Sequence, residues 1–454
     1  MNIDWRTFDT GHEDTNTGQT IRLVDTLGSV PIIIQDAIMG TGKTTSMLDK
    51  LNKISENYMK EGYIIILPYL SEIDRYMQAC PGMKFKTPEV NKEGSKTKRE
   101  DLIRLVRDGE NILTTHAMFD SWDDSLGMLI HDHKYHIVMD EEIGSMESLK
   151  IQLKPGERKE LSKLEYIEVE EKTKKVTWNF SESDDSDGTY TGSPKYAIIR
   201  KHCKQGNLYL YGDLKDDSQP FFISTIPEGF FKVGLSYEIL TYRFETSDLS
   251  YFFKTSGIKY KVEYPNLQRQ REIKSASASL ITIIDAPKTV QAAGEGRYAL
   301  SNTWYSLCLP STMTKLRNSL GDSMKKTHKV DADRLLWTCP KLYSTPQGRC
   351  KKGETKRGYM SLRGYACTHV PWTCKGTNEH AHKDTILYMI NLFPQVGIVK
   401  HISNQAYSLD QDAWSLSNML QFIWRSAIRN NEPIRIMIPS KRMEGLLQAW
   451  LDGR

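Results

Sequence analysis

The residues with the clearest chemical potential lie in one short segment near the start of the chain. An apolar run that ends at Ile34 leads into the sequence AIMGTGKT at 37–44, and a helical pattern follows. Glycines let the backbone turn its N–H groups inward around phosphate oxygens, a lysine reaches the β- and γ-phosphates, and a threonine hydroxyl binds Mg²⁺. The positive end of the following helix dipole also faces the anion. The segment therefore predicts a nucleotide site at Ala37, Gly40, Thr41, Gly42, Lys43, Thr44 and Thr45.

An acidic run, Asp140-Glu141-Glu142, directly follows an apolar strand pattern. Downstream of a phosphate loop, such carboxylates supply the magnesium side of the site. Asp140 would hold the metal together with Thr44, and Glu141 would polarise the attacking water. The alternative is a strand that simply ends in a solvated acidic loop. We favour the site because a magnesium–nucleotide complex needs a carboxylate of this kind.

Two arginines and a glutamine recur at a spacing of four residues near the C-terminus. They are Gln421, Arg425 and Arg429, within a predicted helix over 416–429 that would place them on one face. A guanidinium stabilises the charge that spreads over a γ-phosphate in the transition state. The pattern therefore predicts an arginine finger, and a surface helix with ordinary ion pairs is the alternative.

The elements that must position these residues alternate between strands and helices. Short apolar strands are predicted at 31–35, 63–67, 111–115 and 136–140, with helical patterns between them. This alternation is typical of a parallel sheet covered on both faces. Turn-rich and charged segments interrupt it and predict an inserted β-rich subdomain at 150–220. The alternation then resumes, with a helix expected at 382–392 and a strand at 434–439.

The composition is that of an ordinary globular protein. The 454 residues are 39% hydrophobic and 26% charged, and the formal net charge is +4, which permits nucleic-acid binding without arguing for it. No apolar run is long enough to span a bilayer and the N-terminus lacks a secretory signal, so we expect a cytoplasmic protein without membrane attachment. The cysteines lack the tight spacing of common zinc sites, which favours reduced thiols.

The order of the motifs resembles that of superfamily 2 helicases, with the strongest likeness to helicase-like proteins of bacteriophages and prophages. AIMGTGKT is similar to motif I, Asp140-Glu141-Glu142 to the DEAD/DEAH motif II, and the segment 421–429 to motif VI. The resemblance implies an α/β fold with two RecA-like parallel-sheet domains in tandem and an inserted β-rich subdomain. It divides the chain into an N-terminal extension (1–30), domain 1 (31–270, with the insert at 150–220) and domain 2 (271–454).

The resemblance also implies the ligands. ATP and Mg²⁺ would bind at the phosphate loop, and Gln19 would read the adenine. The spacing in motif VI leaves open whether Arg425 or Arg429 is the finger. Other motifs of the family contact the nucleic-acid backbone, and they correspond here to Pro68, Tyr69, Arg75, Thr115, His116, Thr377 and Asn378.

We therefore expect an ATP-dependent helicase or translocase that acts on nucleic acid, DNA being favoured over RNA, in phage replication, recombination or repair. If the protein is phage-encoded, its location is the host cytoplasm. Two other classes remain open. A DNA-packaging ATPase of the terminase type would need a nuclease domain, and no convincing acidic triad follows residue 280. A nucleotide-gated protein that binds or loads nucleic acid without unwinding it is the second alternative.

Overall fold

The structure is a computed structural model of the chain. It describes residues 11–13, 20–56, 61–90, 96–163, 166–179, 194–212, 214, 220–344, 358–365, 368–373 and 379–453. The chain divides into two compact units. The first contains the described residues up to Asp36 together with 44–263 and 395–409, and the second contains 37–43, 264–394 and 410 onwards.

The first unit is built on a parallel sheet. Its strands in chain order are β1 (Gly11–Glu13), β2 (Thr20–Arg22), β3 (Ile32–Asp36), β4 (Gly62–Leu67), β5 (Ile112–Thr115), β6 (Tyr135–Asp140), β7 (Met146–Leu149), β8 (Ile167–Val169), β9 (Val176–Trp178), β10 (Leu208–Tyr211), β11 (Phe221–Thr225), β12 (Ser236–Thr241) and β13 (Lys261–Glu263). The parallel sheet has the order β13–β3–β12–β6–β4–β5. The carboxyl ends of these strands therefore lie along one edge, which is where ligands bind in such sheets.

Helices cover this sheet because its strands are apolar on both faces. Ile64, Ile65 and Ile66 are all fully buried in β4, as expected for a central parallel strand. The helices up to residue 263 are α1 (Lys43–Glu56), α2 (Ser71–Ala79), α3 (Lys98–Arg107), α4 (His116–Phe119), α5 (Asp124–Asp132), α6 (Pro155–Lys163), α7 (Pro194–Lys204) and α8 (Asp248–Thr255). Met47 and Leu51 of α1 share one apolar core with residues of β4, β6 and β12. The helix after the phosphate loop is thereby fixed to the sheet.

Between β6 and β12 the chain forms the β-rich insert. Strands β7, β10 and β11 make an antiparallel sheet in the order β10–β11–β7, and β8 pairs with β9 in an antiparallel hairpin. Ile199 of α7, Leu208 and Phe222 are fully buried in a separate core that these strands share with α6 and α7. The predicted β-rich insert is therefore confirmed.

The second unit is a smaller α/β layer. Its strands are β14 (Ile281–Ile283), β15 (Leu335–Thr338), β16 (Thr385–Tyr388) and β17 (Ile434–Met437), all parallel in the order β14–β17–β16–β15. The helices of the second half of the chain are α9 (Leu267–Leu280), α10 (Lys288–Gly294), α11 (Asn302–Leu307), α12 (Pro310–Asp322), α13 (Lys341–Ser344), α14 (Val396–Asn404), α15 (Gln411–Ile423) and α16 (Lys441–Leu451). The predicted fold class, two RecA-like parallel-sheet domains with an inserted β-rich subdomain, is confirmed.

The helix expected at 382–392 is wrong. Residues Thr385–Tyr388 form β16, which lies between β15 and β17 and is fully buried along its length. A short apolar run that is buried on every side fits a helix and a central strand equally well by its pattern. The sheet decides the outcome, because both neighbours of β16 supply backbone hydrogen-bond partners.

Helix α14 belongs to the first unit although the chain on both sides of it belongs to the second. Its His401 side chain is hydrogen-bonded to the Tyr211 hydroxyl of the insert (Nδ1 to Oη, 2.7 Å). Gly397 lies so close to the insert that a Cβ there would be 2.7 Å from Ile223 Cδ1. A larger residue here would therefore have to displace the end of the Ile223 side chain. No helix among the described residues is long and apolar enough to cross a membrane.

Candidate nucleotide site

The phosphate loop runs from the end of β3 to the start of α1. Gly40 and Gly42 have φ angles of 82° and 86°, a left-handed conformation that glycine adopts without strain. The Thr41 hydroxyl donates a hydrogen bond of 2.9 Å to the Ile38 carbonyl. The Lys43 ammonium donates to the carbonyl of Ala37 and, at 3.5 Å, to that of Ile38. The loop is thus closed by its own lysine, whose ammonium a triphosphate would draw away from these neutral carbonyls.

Helix α9 holds the loop from outside. The Ile38 N–H donates to the Gln270 side-chain oxygen at 3.2 Å, while the Gln270 amide nitrogen donates to the Pro265 carbonyl at 2.8 Å. A Cβ on Gly40 would lie 3.8 Å from Ile273 Cδ1 of the same helix. Sequence reasoning missed Gln270, because it follows Ile38 by 232 residues and no local pattern connects them.

Thr44 meets Asp140 at the carboxyl edge of the first sheet. The Thr44 hydroxyl lies 3.2 Å from each carboxylate oxygen of Asp140, and the Tyr76 hydroxyl donates to Oδ2 at 2.9 Å. A hydroxyl oxygen and a carboxylate are ligands that Mg²⁺ prefers, and the ion ordinarily completes its shell with phosphates and water. These two residues therefore fit the predicted Mg²⁺ site. Tyr76 was not predicted.

The Asp140 carboxylate is held in an unfavourable setting. Burial, together with the neighbouring Glu141 charge, raises its pKa to about 6, although the hydrogen bonds from Tyr76 and Thr44 lower it. A divalent cation would favour the charged carboxylate, since an opposite charge nearby lowers a carboxyl pKa. A cation at this position would therefore offset the raised pKa of Asp140.

Two strained residues follow the strands beside the loop. Glu141 has φ 79° just after β6, and Arg243 has φ 58° just after β12. The Asp36 carboxylate fixes the second of these turns by accepting the N–H groups of Arg243 (2.7 Å) and Phe244 (3.0 Å). Left-handed non-glycine residues cluster at functional sites. Glu141, the predicted base, therefore lies at a left-handed backbone position directly after Asp140.

The prediction that Gln421, Arg425 and Arg429 share one helical face is wrong. Helix α15 ends at Ile423, and Arg429 lies in a separate 3₁₀ turn over Ala427–Asn430. The helix stops because the Ala427 N–H donates to the Lys383 carbonyl (2.8 Å) instead of continuing the helical ladder. Gln421 and Arg425 are 5% and 2% exposed. Among the described residues, Nε and Nη2 of Arg425 and Oε1 of Gln421 have no hydrogen-bond partner.

The residues predicted to contact nucleic acid lie mainly at the ends of two neighbouring strands. Leu67 of β4 and Thr115 of β5 are in register, so Pro68 and Tyr69 come next to Thr115 and His116 at the carboxyl edge of the sheet. Arg75 lies on α2 and forms an ion pair of 3.1 Å with Glu72. Gln19, Thr377 and Asn378 lie outside the described residues.

The chain is thus an α/β protein with two parallel sheets and a glycine-rich loop between β3 and α1. Residues 275–451 match the family model of the YonV C-terminal Rossmann-like domain. The chain is 28% identical over 432 residues to the SPbeta prophage-derived uncharacterized protein YonV of Bacillus subtilis (strain 168). The alignment covers 92% of this chain and 98% of that protein. Among solved structures, S. tokodaii Xpd4 is similar with a TM-score of 0.36 and 9% identity, over 93% of this chain and 94% of that one.

Proposed function

We propose that the protein is an ATP-dependent nucleic-acid helicase or translocase. The observation that carries the proposal is the contact of the Thr44 hydroxyl with both Asp140 carboxylate oxygens, each at 3.2 Å. It joins the end of a phosphate loop to the acidic end of a neighbouring parallel strand. A magnesium–triphosphate complex needs these two groups together. The similarity to a prophage-derived protein supports a phage setting.

The residues divide the work of hydrolysis. The loop N–H groups and Lys43 would bind the β- and γ-phosphates, and Thr44 and Asp140 would hold Mg²⁺, which neutralises phosphate charge when bound. Glu141 would orient the attacking water and accept its proton. Tyr76 would keep the Asp140 carboxylate in place through its hydrogen bond of 2.9 Å.

Arg425 is the better candidate for the arginine finger. Its guanidinium is buried and has two N–H-bearing nitrogens without a hydrogen-bond partner among the described residues. A buried donor without a partner is unfavourable, and a phosphate oxygen would satisfy it. Arg429 lies in the 3₁₀ turn after the helix and is only half-buried. We therefore assign the finger to Arg425.

The polymer would contact the first unit where β4 and β5 end. Pro68, Tyr69, Thr115 and His116 lie at the ends of these two paired strands, and Arg75 lies on α2. Such contacts are mainly to phosphates and carry little sequence preference. DNA is favoured over RNA as the polymer. A loading protein that hydrolyses ATP without unwinding nucleic acid would use the same site. A strand-displacement assay therefore distinguishes a helicase from a loading protein.

The test measures ATP hydrolysis with single-stranded DNA, duplex DNA and RNA, together with strand displacement of a labelled duplex. Lys43→Ala should lower hydrolysis at least about 100-fold, because phosphate charge loses its closest cation. Glu141→Gln should lower it about 100- to 1,000-fold while a fluorescent ATP analogue still binds. The matched control for Lys43→Ala is Lys53→Ala, because Lys53 is an exposed lysine on the same helix, α1.

Full turnover in the Lys43→Ala variant would show that the nucleotide site is misassigned. Hydrolysis that no nucleic acid stimulates would rule out the motor, and stimulation without strand displacement would leave a translocase or a loading protein.

A further inference from the structure

A strained turn precedes α11 in the second unit. Leu300 is fully buried and has φ 61°, a left-handed conformation that a bulky residue rarely adopts. Such a conformation persists only when the surrounding structure holds it, and it is found mostly at functional sites. The turn of interest is Arg297–Leu300.

Asn391 holds this turn from below. It is 2% exposed and follows β16 at the carboxyl edge of the second sheet. Its side-chain nitrogen donates to the carbonyls of Arg297 (2.8 Å) and Ala299 (2.9 Å). Its backbone N–H donates to the carbonyl of Leu300 (3.0 Å). Three hydrogen bonds from one buried residue therefore hold three of the four residues of the turn.

The Arg442 side chain holds Asn391 in place. Its Nη1 donates to the Asn391 side-chain oxygen and to the Leu392 carbonyl, both at 2.8 Å. The arginine side chain is only 10% exposed and pairs with Asp412 at 2.6 Å. Its guanidinium also lies 4.0 Å from the centroid of the Phe393 ring. The support beneath the turn is therefore rigid and its polar groups are paired.

This support presents one exposed aromatic ring. Tyr298 is 64% exposed, and its ring centroid is 5.2 Å from that of Phe393. The Arg297 guanidinium carbon lies 5.8 Å from the centroid of the Tyr298 ring. A buried amide, a paired arginine and a strained turn thus hold a tyrosine whose own surface faces solvent.

We propose that Tyr298 stacks on an unpaired base of a single-stranded nucleic acid. Bases stack on aromatic side chains without regard to sequence, and an adjacent arginine contributes through its charge to the phosphate backbone. Arg297 supplies that charge, and Phe393 keeps the tyrosine ring from rotating away. The proposal rests on the proposed function, because it names a contact with the polymer that the ATPase would act on.

The favoured occupant is a nucleic acid because the exposed ring carries an exposed cation beside it. The residues predicted from the sequence contact phosphates, whereas Tyr298 would contact a base. Phosphate contacts and base stacking depend differently on salt, since only the former release counterions. This difference provides a readout that a merely structural tyrosine would not change.

The experiment measures the fluorescence anisotropy of labelled oligothymidylate and oligouridylate with the full chain. Tyr298→Ala should weaken binding about 5- to 30-fold with an unchanged salt dependence, because one stacked base is lost. Tyr298→Trp should retain binding. Arg297→Ala should instead reduce the salt dependence. Tyr264→Ala, a tyrosine of the same unit that is 53% exposed, should leave binding unchanged.

An oligonucleotide carrying 5-bromouracil should crosslink to Tyr298 on irradiation, and mass spectrometry would identify the residue. If Tyr298→Ala binds as tightly as the unmodified protein, base stacking at Tyr298 is wrong while the motor proposal stands. If the unmodified protein binds neither polymer, both proposals fail. Retained polymer binding together with loss of a protein partner in the Tyr298→Ala variant would mark the ring as a protein interface and also overturn the stacking proposal.

Discussion

The carboxyl edges of the two parallel sheets have the same architecture and opposite energetics. At the first edge, Asp140 is buried with a pKa raised to about 6, and Glu141 is strained beside it. At the second, Asn391 is buried and Arg442 is partly buried; Asn391 is hydrogen-bonded to the turn, and Arg442 to Asn391. Under the proposed function, a bound cation would stabilise the first edge, whereas the polar groups of the second are already hydrogen-bonded and support a residue on its surface. The same layer of strands thus serves two purposes, set by the loops that follow them.

The largest expected effect concerns Arg425 of the second unit and its proposed part in ATP hydrolysis. Arg425→Ala should reduce the turnover number for ATP at least about 1,000-fold, because an arginine finger stabilises charge that exists only in the transition state. Binding of a fluorescent ATP analogue should change much less. Arg429→Ala is the matched control and should retain most of the turnover. Equal losses in the two variants would contradict the assignment of Arg425.

The second edge is tested by removing its central amide. Asn391→Ala should lower the free energy of unfolding by about 3 kcal/mol, since two side-chain hydrogen bonds are lost and the Arg442 guanidinium loses a buried acceptor. Denaturant unfolding followed by tryptophan fluorescence measures this change. Asn318→Ala, an exposed asparagine of the same unit, should have little effect. A loss below about 1 kcal/mol would show that Asn391 does not hold the strained turn.

Sequence patterns predicted the first edge better than the second. The strands predicted at 31–35, 63–67, 111–115 and 136–140 agree with β3 to β6 within one residue at each end. Their order along the chain and the loop glycines were enough to bring Thr44 and Asp140 together. Local chemistry succeeds here because the motif, the strand before it and the helix after it are contiguous.

The second edge depends on contacts that sequence patterns do not contain. Asn391 meets Arg297 across 94 residues and Arg442 across 51. Neither the strained φ of Leu300 nor the exposure of Tyr298 follows from residue type. The helix predicted over 416–429 was wrong for the same reason, because a tertiary hydrogen bond from Ala427 to Lys383 ends it. Long-range pairing overrides local propensity at these positions.

The energetic contrast between the edges predicts that substitutions of Asn391 and Asp140 change the free energy of unfolding in opposite directions. Asp140→Asn should abolish ATP hydrolysis and yet raise the free energy of unfolding at pH 7 by about 2 kcal/mol without Mg²⁺. The folded pKa of about 6 lies above the unfolded value of 3.8, so the folded state holds the proton more tightly and loses stability as the pH rises between them.

That gain should therefore vanish below about pH 3, where the Asp140 carboxyl is protonated in both the folded and the unfolded state. Urea unfolding at both pH values measures it, with the exposed Asp132→Asn as the control. Destabilisation at pH 7 would mean that the carboxylate is not strained by burial, and the contrast with Asn391 would disappear.

The smallest effect concerns Tyr76, which lies behind the carboxylate. Tyr76→Phe removes the hydrogen bond of 2.9 Å to Asp140, a bond that favours the charged form. The pKa of Asp140 should rise further, so the acid limb of the rate–pH profile should move to higher pH. The Mg²⁺ concentration for half-maximal hydrolysis should increase about 10-fold, as expected for a residue that orients a metal ligand.

Tyr135→Phe separates this effect from general damage to β6. Tyr135 is equally buried at the opposite end of the same strand, and its hydroxyl donates to the Glu110 carbonyl at 3.0 Å. Both variants lose a buried hydrogen bond and should lose similar stability, but only Tyr76→Phe should alter the Mg²⁺ requirement. Because turnover at saturating Mg²⁺ and high pH depends on groups that Tyr76 does not touch, it should recover there. A Tyr135→Phe variant with the same Mg²⁺ shift would show that strand stability, rather than the orientation of Asp140, sets the metal affinity.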